Sequence, residues 1–114
     1  MELVARKKTL DEEQLTDTFY YILLSITEPI HGYAIMQKVK EISGETFEIG
    51  PASLYTSLKK MLNAELLVLK ETAESDKKIY ELTDLGKERL IKDYHRRKAM
   101  VRHGQLILGE RDED

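Results

Sequence analysis

From Pro51 to Ala64 the chain places Ser53, Thr56, Lys60 and Asn63 at steps of three and four residues, with Lys59 at the edge of the same arc. On a helix these side chains share one face. Hydroxyls, an amide and ammonium groups are donors suited to phosphate oxygens and to the acceptors on base edges. The stretch holds 2 bases and no acid, so nothing on it repels a polyanion. Tyr33, Tyr55, Lys77 and Lys78 could add further phosphate contacts. Each of these also has a plainer reading: half-buried packing for Tyr33, packing with only the hydroxyl exposed for Tyr55, and ordinary turn solvation for the two lysines. Ser53 and Tyr55 suit phosphate contact, Thr56 and Lys60 base reading. Tyr80 is expected in the core.

Other chemistries find no residues to carry them. With 0 Cys, thiolate metal sites, disulfides and Cys nucleophiles are excluded. His31, His95 and His103 share no ligand spacing, and no Gly-rich phosphate loop, Ser-His-Asp arrangement or carboxylate pair stands out. No metal, no cofactor and no enzymatic activity are expected.

A chain of 114 residues suffices for one self-supporting domain. The net charge of −3 disfavours a polyanionic partner only weakly, because the charges are unevenly placed. Between Thr9 and Gly50 lie 8 acids and 2 bases; from Lys77 to Arg102 lie 9 bases and 4 acids. The opening residues are charged and no run approaches ~18 apolar residues, so neither a secretory signal nor a membrane partner is expected. Absence of Cys favours a reducing compartment, and a cytoplasmic location is the expectation.

The elements that must position these groups follow from periodicity. Leu15, Phe19, Ile22, Leu23 and Ile26 fit one face of a helix over about Asp11 to Thr27, closed by Pro29. A second helix opens at His31-Gly32-Tyr33, buries Ile35, Val39 and Ile42, and stops at Gly44. Gly50-Pro51 starts a third, with Leu54, Leu58, Met61 and Leu62 inward. The apolar run Leu66 to Leu69, a polar turn from Ala73 to Lys77 and the stretch Ile79 to Leu82 read as a β-hairpin. Thr83 caps a last helix from Asp84 to Leu108, about 37 Å long at 1.5 Å per residue and too long for the body before it. Ile91, Tyr94, Lys98, Val101, Gln105 and Leu108 alternate at three and four, a seam for another chain. The fold class is mainly α with a small β-hairpin, and the order of elements is that of a winged helix-turn-helix followed by a long dimerisation helix. The expected divisions are an N-terminal arm over 1–10, the winged domain over 11–83, the helix over 84–108 and an acidic tail over 109–114.

Three stretches, Ile30-His31-Gly32-Tyr33-Ala34-Ile35, Pro51-Ala52-Ser53-Leu54-Tyr55 with Leu58, and Lys78-Ile79-Tyr80-Glu81-Leu82-Thr83-Asp84-Leu85-Gly86, together resemble the PadR-type transcriptional regulators over Thr16 to Leu90. The resemblance implies a homodimer, usually a repressor, joined through the C-terminal helix, with motif residues at Tyr33, Ser53, Tyr55 and Tyr80. Two departures stand out. Thr56 takes the place of a frequent proline, and Leu66 that of a frequent glycine before the first wing strand. The operator of a relative therefore does not transfer.

The functional expectation is a sequence-specific, double-stranded-DNA-binding regulator, repressing by steric block on a pseudopalindrome with half-sites about 34–36 Å apart. The alternative is a winged-helix module that binds another protein. A small-molecule effector of unknown identity is compatible with the first reading, although Tyr94 is the sole aromatic of the long helix and a flat-drug sandwich is not supported. Arg96, Arg97, Lys98 and Arg102 have three readings: a second phosphate contact, ion pairs to acids of another subunit, or a solvated face.

Overall fold

The computed structural model describes residues 14–71 and 77–110. The order is α1 (Asp17–Ser25), β1 (Ile30–His31), α2 (Gly32–Ile42), α3 (Pro51–Asn63), β2 (Leu67–Glu71), β3 (Lys78–Leu82) and α4 (Asp84–Leu108). The expected arm over 1–10, residues 11–13 of the expected first helix, the turn residues Ala73 to Asp76 and residues 111–114 of the tail lie outside the described residues.

α1 starts at Asp17 rather than near Asp11. The Thr16 hydroxyl accepts the Phe19 N–H at 3.1 Å and so closes the helix at that point. Leu15 is still core, but it reaches the core from extended chain, its N–H donated to Asp93 at 3.3 Å. After Pro29, Ile30 and His31 form a strand that pairs antiparallel with Tyr80 and Ile79. The sheet therefore has three strands in the order β1-β3-β2, where the hairpin alone was expected. Two residues carry no alternation to read; β1 exists because the edge of β3 supplies its partners.

α2 buries Ile35 and Val39, but Ile42 is 40 % exposed, a correction to the expected stripe. It is the last helical residue, and the chain turns away there through Ser43 and Gly44, the glycine at φ 63. α3 begins as expected, with Gly50 as N-cap and Pro51 in the first turn. Leu54, Leu58 and Met61 are fully buried against Ile22, Leu23 and Ile35.

The junction from α3 to the sheet shifts one inference. The left-handed residue there is Glu65, at φ 64, and Leu66 is completely buried, so the position suited to glycine is 65 and not 66. Leu66 then receives α4. Its carbonyl accepts the Thr83 N–H at 3.1 Å, and Thr83 in turn caps α4 by accepting the Gly86 N–H at 2.9 Å. A Cβ on Gly86 would lie 2.1 Å from the Leu66 carbonyl oxygen, so only glycine permits this approach. α4 runs over Asp84–Leu108 as expected, burying Gly86, Leu90 and Asp93 on the body. Among the described residues no helix is long and apolar enough to cross a membrane.

Candidate nucleic-acid interface

α3 presents Ser53, Thr56, Lys59, Lys60 and Asn63 to solvent, while Ser57 is buried with Leu54 and Leu58. The expected polar face is thus open, and among the described residues no carboxylate pairs with Lys59 or Lys60. Tyr55 flanks this face at 47 % exposure.

The helix N-termini fall into two kinds. α1 and α4 are each capped by a threonine hydroxyl and carry an aspartate in the first turn, Asp17 and Asp84. α2 and α3 have no side-chain cap bond and no acid in the first turn. Uncapped N–H groups and the positive end of the helix dipole are what a phosphate oxygen binds. The two helices of the helix-turn-helix lack the threonine cap and first-turn aspartate that close the other two. The sequence signal was present in the threonines and aspartates at 16, 17, 83 and 84.

Tyr33, Tyr55, Lys77, Lys78, Tyr80 and Gly32 line one groove of about 250 Å³ between the start of α2, α3 and the wing. Residues distant in sequence are brought together there. Tyr33 is 59 % exposed; its ring stacks on His31 with centroids 5.2 Å apart, and the Lys77 ammonium lies 5.3 Å from its centroid. Half-buried packing of Tyr33 is thereby replaced by an exposed, stacked ring. Tyr80 is core, as expected, and burial, then the neighbouring Tyr55 phenol, pushes its hydroxyl above the usual tyrosine range. It remains a neutral floor. Gly32 lets α2 start directly against these rings, since a Cβ there would meet Tyr80 at 3.0 Å and the Tyr55 hydroxyl at 3.6 Å. Sequence reasoning had not placed Gly32 at this groove, nor His31 behind the Tyr33 ring.

Along α4, the seam residues Ile91, Tyr94, Val101 and Leu108 are 56 %, 46 %, 63 % and 75 % exposed. Met100 and Ile107, missed from the sequence, are also exposed. Met100, Val101, Gly104, Ile107 and Leu108 recur at i, i+1, i+4, i+7 and i+8, one apolar stripe that continues the line of buried Gly86, Leu90 and Asp93. Ile91 and Tyr94 lie to one side of it. The arginines have partners within their own chain: Arg96 and Arg97 both bind Asp93, and Arg97 also binds Asp17. Of the three readings open for these arginines, ion pairing is the one seen for Arg96 and Arg97, and it is made within the chain. The Lys98 ammonium lies 6.0 Å from the Tyr94 ring.

A helix-turn-helix flanked by an antiparallel wing, with the exposed face of the third helix polar and free of acids, is the architecture of a winged-helix DNA-binding protein. Residues 22–92 match the transcriptional regulator PadR-like family, and the chain belongs to that family. Its fold is similar to that of H. salinarum RosR, with a TM-score of 0.63 and 26 % identity over 75 % of this chain and 76 % of that one. It is similar to a PadR-like transcription factor from Bacteroides fragilis, with a TM-score of 0.66 and 26 % identity over 79 % of this chain and 88 % of that one. Bacillus subtilis PadR, solved in complex with operator DNA, matches with a TM-score of 0.58 and 28 % identity over 67 % of this chain but 45 % of that one. Among curated protein sequences none matches significantly.

Proposed function

We propose that this chain represses transcription in the cytoplasm as a homodimer on a pseudopalindromic operator, with α3 of each protomer in a major groove and the wing on flanking phosphates. The observation that carries this reading is the acid-free, solvent-facing side of α3 beside two uncapped helix ends. Thr56 and Lys60 read bases; Ser53, Tyr55, Lys59, Tyr33, Lys77 and Lys78 hold phosphates. Residues 11–83 form the DNA-binding unit and 84–108 the dimerising helix, which joins its partner through the stripe around Gly104 together with Ile91 and Tyr94. A small-molecule effector would act by changing the angle between the two halves of the dimer.

Selection of bound duplexes from a random DNA pool tests the reading. A recovered palindrome with half-sites one helical turn apart, and affinity that falls steeply with salt, is the expected result. Lys60→Ala weakens binding several-fold, and Thr56→Ala shifts base preference more than affinity. No enriched site at ~100 mM salt, with salt-independent binding to a protein instead, would overturn it.

A further inference from the structure

Asp93 is 4 % exposed, and its carboxylate accepts three hydrogen bonds. Its Oδ1 accepts from Arg96 Nε at 2.9 Å and from the Leu15 N–H at 3.3 Å; its Oδ2 accepts from Arg97 Nε at 2.6 Å. Arg97 goes on to donate to Asp17 Oδ1 at 2.8 Å and to the Leu15 carbonyl at 3.0 Å, with its guanidinium 4.3 Å from the Tyr20 ring. Burial raises the Asp93 pKa, but the two guanidinium bonds and the Leu15 N–H outweigh it and hold the carboxyl below the usual aspartate value. The Asp93 carboxylate is thus favoured in its charged form between two guanidinium groups.

Its position gives this cluster leverage. Asp93 is the last buried residue of α4, and from Lys98 to Leu108 the helix is exposed apart from the part-covered Gly104 and Gln105. That distal arm is about 16 Å long, so a tilt of about 10° at the cluster moves its end by about 3 Å. One base-pair step is about 3.4 Å. An apolar contact of equal volume would hold the two pieces together as well, whereas forked guanidinium bonds also fix direction.

We infer that the Asp93–Arg96–Arg97 cluster, by gripping Leu15 and Asp17, sets the angle between the winged-helix body and the distal half of α4, and thereby the half-site spacing the dimer accepts. The inference rests on the DNA-binding dimer proposed above. These are positioning residues, acting through their bonds to Leu15 and Asp17.

Because the chain has 0 Cys, Asn63→Cys and His103→Cys give two unique label sites, one on α3 and one on the distal arm. Labelled chain diluted with excess unlabelled chain reports the distance within one protomer by pulsed electron resonance. The expected result is one narrow distribution in the parent and a broader or displaced one after Asp93→Asn or Arg97→Lys, with helical circular dichroism retained. Arg97→Lys, which keeps the charge and loses the fork, guards against a variant that merely unfolds. In parallel, the random duplex pool yields a single half-site spacing for the parent and spacings spread by one base pair or more for the variants, with single half-site affinity unchanged within about threefold. An unchanged distance distribution overturns the positioning role. A broadened distribution with the same sharp spacing overturns the link to DNA, and failure of the parent to select any site overturns the functional reading while the distances still decide the cluster.

Discussion

α3 and the distal half of α4 each present an exposed face that a partner could cover, and the two faces are of opposite character. α3 turns Leu54, Leu58 and Met61 completely inward and exposes hydroxyls, an amide and lysines. Beyond Arg97, α4 exposes Met100, Val101, Leu106, Ile107 and Leu108, at 55 % to 84 %. A polar face is well solvated as it stands and, without acids, does not repel a polyanion. An apolar stripe of this length is unfavourable in water and calls for a protein surface. Under the proposed function the difference assigns the two kinds of partner to different helices, and separate variants can break each half of the contrast.

The largest effect is expected from Val101→Asp. In a twofold dimer the substitution enters twice, and losing two buried valines at about 2 kcal/mol each weakens association by about 4 kcal/mol, roughly 1,000-fold. Sedimentation equilibrium should show a folded monomer with the circular dichroism of the parent. Lys60→Ala, on the other helix, should leave the mass of the assembly unchanged. Equal dimer masses for Val101→Asp and the parent would erase the distinction between the two faces.

Next in size is Gly86→Ala, which attacks the joint between the two regions. The new Cβ would lie 2.1 Å from the Leu66 carbonyl oxygen, a backbone atom that cannot swing aside. Relief requires α4 to move off the α3–β2 corner, taking the Thr83 bonds to Glu65 and Leu66 with it. A loss of about 3 kcal/mol in urea unfolding is expected. A loss below about 1 kcal/mol would mean that α4 is far less firmly seated than the contrast with its free distal half requires.

What could be read from residue order follows the range of the forces involved. The starts of α3 and α4 were legible because Pro51 and Thr83 act within one helical turn, and the polar face of α3 because its period is local. Strand β1 was not legible, since Ile30 and His31 are ordered by residues 79 and 80. Nor was the pairing of Asp93 with Leu15, 78 residues apart. Arg96 and Arg97 looked like surface charge although Asp93 stands three and four residues before them; what residue order does not show is that Asp93 is buried and that Arg97 also reaches Asp17. The groove at Tyr33 and Tyr55 was half legible. Its residues were named singly, but their convergence with Gly32 and Tyr80 depends on β3 lying beside β1.

The smallest effect concerns the turn that joins these regions, and its sign discriminates between adjacent residues. Glu65 holds φ at 64, where a side chain costs roughly 1–2 kcal/mol, and its carbonyl, which accepts the Thr83 hydroxyl at 2.7 Å, is retained by any residue. Glycine removes the steric cost but widens the unfolded ensemble, so Glu65→Gly should stabilise by a net of about 0.5–1 kcal/mol and raise the melting temperature by a few degrees. Leu66→Gly, one position on, removes a fully buried side chain from the core and should cost at least about 3 kcal/mol. Calorimetry on the two variants should therefore move in opposite directions. If Glu65→Gly melts lower than the parent, the left-handed turn is not where the α3-to-sheet junction stores its strain, and the seating of α4 on Leu66 would need another account.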